Sequence, residues 1–365
     1  MNITLDRDKL LEKLNLANKF ASNRLSSMAA LQGVLMEIAE NEAHLYSTNL
    51  SYYYHGAMKV SGGSPAKIII DARKIGEFLN LMPAGNLEVE IDEKTIAFTQ
   101  GKIHGKFPLM KMEDFPLPPK IEEKRQKIPG EFMVKNLPPV LFAAARDESR
   151  PVLSGINFLR MDEQLYIVAT DGFRLSLIKT NNKFDFPPML VPAEFITEIL
   201  RQLAGVKELE FGFSSEEKAA VFKTGDDEFY TRLIEGDFPP FEKVIPAEFA
   251  TKVVLDTEEA ARYVKLISVV ARDFSNIVIC EFKKSGVIYH PKTDAGGGNS
   301  AVQEAEFEGD EQKVAFNYKF LLDFLNNFGE KKVVVEILRS DAPIVFKKEK
   351  DPGFLHIIMP VRIQE

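Results

Sequence analysis

The chain has 365 residues, of which 45% are apolar, and it carries a formal net charge of −8. That length exceeds what one hydrophobic core usually supports, so we expect two or three ordered domains and not a disordered chain. The single cysteine, Cys280, excludes an intramolecular disulfide framework and favours a reducing, cytoplasmic location. The charged N-terminus is unlike a secretory signal, and no apolar run reaches the ~18 residues that cross a bilayer. The acidic balance disfavours a wholly basic nucleic-acid binder.

The first third of the chain is predicted to form a helix, strands, a second helix and further strands. "DRDKLLEKLNLANKF" from Asp6 and "DARKIGEFLNLMP" from Asp71 place apolar residues at helical spacing. After the second helix, "LEVEIDEKTIAFTQ" and "HGKFPLMKM" alternate with period two, which predicts an antiparallel hairpin and a third strand. The proline-rich string "MEDFPLPPKI" and the charged linker "EEKRQK" follow.

The same order of elements returns twice. The middle third has the helices "EFMVKNLPPVLFAAAR" and "VPAEFITEILRQLAG", the strands "ELEFGFSSEEKAAVFK" and "EFYTRLIEG", and the exit "EGDFPPFEKVIP". The last third has "TEEAARYVKLISVVAR", "FNYKFLLDFLNNFG", "KVVVEILRSDAPIVFK" and "GFLHIIMPVRI". Amphipathic helices can look alike by chance, so the period needs independent landmarks.

Two sets of landmarks share one period. Acids in the second helix of each third lie 121 and 125 positions apart: Glu77, Glu198 and Asp323. Arginines at or beyond the end of each first helix lie 122 and 126 positions apart: Arg24, Arg146 and Arg272. We therefore predict an α+β triplication in which each repeat has two helices and antiparallel sheets. The predicted domains are 1–124, 127–247 and 248–365.

The residues show no catalytic constellation. The five histidines are scattered, and one cysteine cannot build a structural zinc site. "TDAGGGNS" is glycine-rich but lacks the lysine of a phosphate-binding P-loop, so a hairpin loop is the simpler interpretation. We expect no metal and no cofactor. The alternative is a repeat-built enzyme that acts on nucleic acid or a phosphorylated ligand, with the glycines at 296–298 as its site.

The most unusual string is "VATDGFRLSLIK" in the middle repeat. Asp171-Gly172 is a turn signal between two alternating apolar runs, and a plain hairpin would explain it. However, the corresponding strings of the other repeats, "YSTNLSYYYH" and "IYHPKTDAGGGN", lack Gly-Phe-Arg-Leu. This difference indicates that the middle repeat carries something beyond the shared scaffold.

Five strings in this order resemble the bacterial DNA polymerase III β subunits, the sliding clamps. They are "SRPVLSGINF", "ATDGFRLS", "EGDFPPFEKVIP", "FNYKFLLDFL" and "IIMPVRI". The resemblance implies three clamp domains per chain and a ring-shaped, head-to-tail homodimer around double-stranded DNA. It implies a non-catalytic processivity factor that slides without reading sequence. The expected partners are a second copy, the replicative polymerase, the clamp loader and other proteins with a clamp-binding motif.

The resemblance also implies two sets of site residues. Those of a pocket for a partner peptide, between the second and third domains, are Leu153, Thr170, Gly172, Phe173, Arg174, Leu175, Pro239, Lys243, Val244, Asn317, Phe320, Pro343, Ile357, Met359, Pro360, Val361 and Arg362. For DNA binding, the resemblance implies Arg24 and Arg73, and the repeat register adds Arg146 and Arg272. An arginine at a helix C-terminus can instead neutralise the helix dipole, so both interpretations stay open.

Ring closure is predicted from one strand. Pro108 in "HGKFPLMKM" has no N–H, which favours an edge strand, and its neighbours Phe107 and Leu109 point to one face. In the family, the third domain of the second subunit covers this edge, and the corresponding residues here are Val269 and Val270. The alternative is that these four side chains are ordinary core residues.

Three positions depart from the family pattern and leave the peptide preference open. Phe173, Phe320 and Lys243 stand where relatives often have His, Tyr and Arg. Gln364 and Glu365 extend past the usual terminus, beside the expected pocket.

Overall fold

The computed structural model describes residues 1–22, 28–147, 149–181, 184–273, 276–292 and 298–362. Within these residues the α-helices are α1 (Arg7–Phe20), α2 (Ala72–Asn80), α3 (Gly130–Asn136), α4 (Pro138–Leu141), α5 (Ala193–Gln202), α6 (Thr257–Ala271) and α7 (Tyr318–Asn327). Short 3₁₀ helices span Ala29–Gln32, Pro151–Leu153 and Phe241–Val244. None of the described helices is long and apolar enough to cross a membrane.

The strands are short and antiparallel. They are β1 (Asn2–Asp6), β2 (Val34–Ile38), β3 (Glu42–Thr48), β4 (Tyr52–Lys59), β5 (Ala66–Ile70), β6 (Asn86–Ile91), β7 (Thr95–Gln100), β8 (Ile103–Pro108), β9 (Gln126–Pro129), β10 (Gly155–Met161), β11 (Gln164–Thr170), β12 (Arg174–Thr180), β13 (Met189–Pro192), β14 (Glu208–Ser214), β15 (Ala219–Thr224), β16 (Asp227–Arg232), β17 (Thr251–Asp256), β18 (Ile277–Lys283), β19 (Gly286–Pro291), β20 (Ala301–Gln303), β21 (Glu306–Gly309), β22 (Gln312–Asn317), β23 (Lys332–Ile337), β24 (Ile344–Lys348) and β25 (Phe354–Ile358).

The chain divides into two compact units. Unit 1 contains residues 1–130 and 201–233, and unit 2 contains residues 131–200 and 234–365. Unit 1 has a four-stranded sheet, β1-β6-β7-β8, and an eight-stranded sheet, β5-β2-β3-β4-β16-β15-β14-β9. Unit 2 has a nine-stranded sheet, β13-β10-β11-β12-β25-β24-β23-β17-β21, and a four-stranded sheet, β20-β19-β18-β22.

Strand order shows the predicted triplication directly. One four-strand pattern occurs three times: β1-β6-β7-β8, β9-β14-β15-β16 and β17-β23-β24-β25. A second pattern also occurs three times: β5-β2-β3-β4, β13-β10-β11-β12 and β22-β18-β19-β20. The predicted hairpins are confirmed in all three repeats. Three short strands, β1, β9 and β17, precede the first helix of each repeat and were not predicted from the sequence.

The first helix of the middle repeat differs from its prediction as one continuous helix. It is broken into α3 and α4, with Pro138 at the start of α4. Because Pro138 and Pro139 have no backbone N–H, they cannot donate to the carbonyls of the preceding turn. The counterparts α1 and α6 lack proline, and each is capped by the preceding aspartate, Asp6 or Asp256, whose side chain accepts a backbone N–H.

The two Asp-Phe-Pro strings occupy equivalent places. Just after the last strand of each repeat, a backbone N–H donates to the strand that precedes the second helix. The bonds are Met110 N to Ile69 O at 2.9 Å, Ile234 N to Leu190 O at 2.9 Å, and Val361 N to Ala315 O at 2.8 Å. Shortly after the first two of these bonds come Phe115 and Phe238. Phe115 is buried against Leu35 and Ile69 in unit 1, and half-buried Phe238 packs against a cluster of unit 2.

In unit 1, strands of consecutive repeats join where β4 pairs with β16. Asp227 of β16 is buried there, and its carboxylate accepts from Lys13 Nζ at 2.7 Å and from Tyr54 Oη at 2.6 Å. Burial and the Asp227 charge raise the pKa of the Tyr54 hydroxyl well above its usual value. Its neighbour Glu228 is held by His55, Tyr230 and Arg125, whose hydrogen bonds lower the pKa of Glu228 against the opposing effect of burial.

Candidate functional site

In unit 2, the equivalent join pairs β12 of the middle repeat with β25 of the last repeat. Arg174 lies opposite Ile358, Leu175 opposite Ile357 and Ser176 opposite His356. The unusual Asp-Gly-Phe-Arg string therefore lies at the place where two repeats share one sheet. This pairing brings together residues that are 176 to 184 positions apart in the sequence.

The string forms a tight turn between β11 and β12. Thr170 Oγ1 donates to the Arg174 carbonyl at 2.6 Å and accepts from Gly172 N at 3.0 Å. The Asp171 carboxylate accepts from the backbone N–H groups of Phe173 and Arg174 at 2.9 and 3.0 Å. Gly172 has a φ of +91°, a conformation that favours glycine. The turn leaves Phe173 56% exposed, so an apolar ring is presented to solvent.

Unit 1 contains the same turn, 122 positions earlier. Thr48 Oγ1 donates to the Tyr52 carbonyl and accepts from Leu50 N, both at 2.8 Å. The Asn49 side chain accepts from the backbone N–H groups of Ser51 and Tyr52. Leu50 occupies the glycine position with a φ of +76°. The turn thus belongs to the scaffold of the first and middle repeats, and its side chains distinguish the two.

Arg174 is the most enclosed charge of the turn. Its side chain is 6% exposed, and its Nε donates to Asp171 Oδ2 at 3.0 Å. Its Nη1 donates to Asp323 Oδ2, on α7 of the last repeat, at 2.8 Å. The guanidinium carbon lies 4.9 Å from the Phe320 ring centroid and 5.5 Å from that of Phe142. Two carboxylates and two aromatic rings therefore hold this cation.

The two halves of the predicted pocket meet at an aromatic pair. The rings of Phe173 and Phe320 are stacked, with centroids 6.2 Å apart and planes 16° apart. Met359 N donates to the Phe173 carbonyl at 2.8 Å, which places the exit from β25 beside the same turn. The Met359 side chain is 37% exposed. The result is an apolar surface contributed by β12, α7 and the segment after β25.

Beneath this surface lies a buried cluster made by both repeats. Its members are Val168, Leu175, Leu177, Phe241, Val345 and Ile357. Phe238 and Ile245 pack against it and bring in the segment that contains Pro239, Lys243 and Val244. Those three side chains are exposed. Five of the predicted pocket residues, Leu175, Ile357, Pro239, Lys243 and Val244, thus combine an apolar floor with a partly charged rim, the mixture that suits a site for apolar anchors.

The remaining predicted pocket residues lie around this core. Leu153 is buried and its carbonyl accepts from Ala145 N. Asn317 is the N-cap of α7, where its side chain accepts from Lys319 N at 3.0 Å. Val361 packs instead against a separate cluster of Ile277, Ile279 and Ala315.

Three further predicted residues flank the strands of this region. Pro343 is half-buried and directly precedes β24. Pro360 is half-buried and Arg362 is exposed, and both follow β25. Gln364 and Glu365 lie outside the described residues.

His356 lies directly under the site, at the β12–β25 join. Its Nδ1 is 2.6 Å from Ser176 Oγ, its ring stacks on Phe324, and among the described residues no partner contacts its Nε2. Burial, together with the nearby Arg174 charge, holds the pKa of the His356 imidazole well below its usual value. The imidazole is therefore neutral in the folded protein.

The predicted DNA-contacting arginines are exposed wherever they are described. Arg73 is in the first turn of α2, 3.5 Å from Glu77, with its side chain 85% exposed. Arg272 caps the C-terminus of α6 and its side chain is 64% exposed. Arg146 is exposed just beyond α4. Arg24 and the glycines at 296 and 297 lie outside the described residues.

The predicted subunit-interface residues differ in exposure. Phe107 packs within unit 1 against Phe78, at 5.3 Å between ring centroids, and Leu109 is half-buried. Val269 is 55% exposed on α6 and Val270 is half-buried. Within the described part of the chain, β8 and β20 are edge strands of their four-stranded sheets.

Sequence reasoning missed several residues of these surfaces. Asp171, Phe142 and Asp323 contact Arg174, but Asp171 had been noticed only as part of a turn signal and Asp323 only as a repeat landmark. Exposed Leu266 lies three residues before Val269, and Val302 on β20 is 57% exposed. Helical spacing could have identified Leu266. The Asp323 contact depends on the fold and had no sequence signal.

The described residues contain no group of three potential metal ligands. A triplicated α+β chain whose repeats share sheets and present an apolar site at one join defines the DNA-clamp class. Three family models match in succession: the DNA polymerase III beta subunit N-terminal domain at residues 1–119, its central domain at 127–240 and its C-terminal domain at 242–362. The chain belongs to the DNA polymerase III beta subunit family.

Individual relatives agree with this membership over their whole length. The beta sliding clamp of Bacillus subtilis is 24% identical over 99% of this chain and 100% of its own. The crystal structure of the DNA polymerase beta subunit of Streptococcus pyogenes has a TM-score of 0.92 at 20% identity, covering 100% of both chains. That of the DNA polymerase III subunit beta of Pseudomonas aeruginosa gives the same score, identity and coverage.

Proposed function

We propose that this protein is a sliding clamp, a non-catalytic processivity factor that encircles double-stranded DNA and tethers the replicative polymerase. The domains that form the clamp are 1–124, 127–247 and 248–365. The observation that carries the proposal is the strand pattern, in which one repeat unit is used three times and neighbouring repeats share sheets. Because each join between repeats has the same strand pairing, further copies of the repeat can be added in the same way, and no step of this assembly needs a catalytic centre.

Ring closure follows from the same pattern. The last strand of one sheet pattern pairs with the last strand of the other at β4–β16 and at β12–β25. The strands left over are β8 of the first repeat and β20 of the third. Since an exposed edge strand readily pairs with another chain, we infer that β8 pairs with β20 of a second copy. A pair of chains then closes head to tail, with β8 and β20 of both copies paired.

The apolar site of unit 2 suits a short extended peptide. Leu175, Ile357 and Met359 offer an apolar floor and wall for anchor side chains, and Lys243 adds a charged group at the rim. A few such anchors carry most of the affinity of a peptide interface. The replicative polymerase, the clamp loader and other proteins with a clamp-binding motif would compete for this site.

Sliding on DNA agrees with the acidic composition. Each phosphate that a protein neutralises adds salt-dependent affinity, so a protein that must slide needs few such contacts. Arg24, Arg73, Arg146 and Arg272 are the proposed contacts on a chain with a net charge of −8. A few exposed cations retain the duplex without fixing it in place.

A primer-extension experiment tests the proposal. On a long primed single-stranded template, the replicative polymerase and clamp loader should make longer products per binding event when this protein is added. An excess of the polymerase's clamp-binding peptide should return the products to their short length. Products whose length does not depend on the protein would contradict the proposed function.

A further inference from the structure

One ion pair of the site connects two repeats. Asp323 lies on α7, one turn after Phe320, and its side chain is 43% exposed. Its Oδ2 accepts from Nη1 of Arg174 at 2.8 Å. Arg174 lies between Phe173 and Leu175 in the sequence, on the opposite side of the apolar surface. The pair therefore spans the two elements that supply the aromatic part of the pocket.

The planar guanidinium of Arg174 fixes the geometry of this connection between the turn and α7. Its Nε is bound to Asp171, which also accepts two backbone N–H groups of the turn. A guanidinium is planar and its N–H groups have a fixed geometry, so binding Asp171 at one edge and Asp323 at another sets the distance between turn and helix. The Phe320 ring, 4.9 Å from the guanidinium carbon, is held by the same group.

The first repeat shows what an acid in this register does without such a partner. Glu77 has the equivalent position on α2, and it lies 3.5 Å from Arg73 of its own helix, with 71% of its side chain exposed. An exposed pair within one helix contributes little and connects no second element. In the third repeat, the acid instead reaches an enclosed arginine of another repeat.

We propose that Asp323 is a positioning residue for the partner peptide, which holds Arg174 and thereby fixes the spacing of Phe173 and Phe320. This inference rests on the proposed peptide site. Asp323 need not touch the peptide. Without the Asp323 carboxylate, Arg174 still has Asp171 as a partner, so unit 2 still folds. However, α7 loses its ion pair with the turn, and the aromatic contacts alone no longer hold Phe173 and Phe320 at one distance.

The test is a titration of a fluorescein-labelled clamp-binding peptide of the replicative polymerase against the full-length protein and its variants. Asp323→Ala should weaken binding about three- to tenfold. The loss should stay in this range because the lost hydrogen bond affects the peptide only through Arg174 and the aromatic pair. Asp323→Glu should restore most of the affinity. Glu77→Ala, in the same register of α2, should bind like the parent. In an Arg174→Gln background, Asp323→Ala should cause no further loss, because its partner is absent.

The outcomes distinguish a failure of the Asp323 inference from a failure of the proposed function. Parental affinity in Asp323→Ala, or an equal loss with and without Arg174, would overturn the inference. A lowered melting temperature without rescue by Asp323→Glu would also overturn it, since the role would then be in folding alone. If the parent protein itself does not bind the peptide, the proposed function fails instead.

Discussion

Met359 is the proposed pocket residue at which effects on binding and on folding can be separated most cleanly. Its side chain is 37% exposed, and its backbone N–H bond to Phe173 does not depend on the side chain. Met359→Ala should weaken the polymerase peptide by about 1–3 kcal/mol and leave the melting temperature near the parent value. Leu175→Ala should weaken it similarly, but Leu175 is 3% exposed, so the free energy of unfolding should also fall.

The control for these variants is Leu81→Ala, since Leu81 is an 84% exposed apolar residue of unit 1. Peptide affinity should be unchanged by it. If Met359→Ala and Leu175→Ala also bind like the parent, the apolar surface of unit 2 is not the peptide site.

The two equivalent turns allow a matched test of backbone strain. Gly172→Ala should reduce the free energy of unfolding by about 1 kcal/mol, because an L side chain is strained at its φ of +91°. Leu50 has the same position at a φ of +76°, so Leu50→Gly should relieve strain and cost little or nothing. Chemical denaturation measures both. A neutral Gly172→Ala together with a costly Leu50→Gly would contradict this explanation.

His356 should make stability depend on pH in a defined direction. Its folded-state pKa is held well below the usual value, whereas in the unfolded chain it titrates near ~6.5. Below that pH the His356 imidazole binds a proton in the unfolded state but not in the folded state. The free energy of unfolding therefore decreases as pH falls from about 6.5 toward the folded-state pKa. The slope should approach about 1.4 kcal/mol per pH unit.

Denaturant unfolding of the parent and His356→Gln between pH 7.5 and 5.5, a range of ~2 units around the free imidazole pKa, isolates this contribution. The variant should have the smaller slope, and both should have similar slopes above pH 7, where the free imidazole is largely neutral. Identical slopes across the range would mean that His356 does not stay neutral in the folded protein.

Among the elements, β8 and α6 carry the proposed subunit interface. Leu109→Asp with Val270→Asp should give folded monomers, because carboxylates buried across the seam would have no partners. Sedimentation velocity should then show half the parent mass while circular dichroism stays the same. Lys120→Asp with Lys207→Asp, at exposed positions outside β8 and α6, is the control and should remain dimeric. A surviving dimer, or an unfolded chain, would contradict the placement of this interface.

The sequence predicted the elements better than their partners. Helices α1, α2, α5, α6 and α7 and all three hairpins follow local periodicity and were therefore predicted from the sequence. Two prolines break the first helix of the middle repeat, and β1, β9 and β17, with four to six residues each, were too short for their periodicity to predict them. The pairing of β12 with β25 could not be read from the residues, because it joins segments whose contact depends on the folding of two repeats. The resemblance supplied most pocket residues, whereas Asp323 as partner of Arg174 needed the structure.

For the whole molecule, function depends on topology more than on affinity. A closed ring with few phosphate contacts stays on circular DNA because that DNA has no end over which the ring could slide off, and not because the ring binds tightly. Exposed Arg73, Arg146 and Arg272 would then help loading and retention without specifying a sequence. The acidic remainder of the chain would keep the complex mobile.

The measurement that tests the sliding-clamp proposal most directly is retention on DNA of different topology. The labelled protein is loaded onto a nicked circular plasmid with the clamp loader, passed through a sizing column, and passed again after the plasmid is cut once. The protein should travel with the circle and be released by linearisation, while a variant with Arg24, Arg73, Arg146 and Arg272 changed to Glu should be loaded or retained less. Equal retention on circular and linear DNA, or no retention on either, would contradict the account.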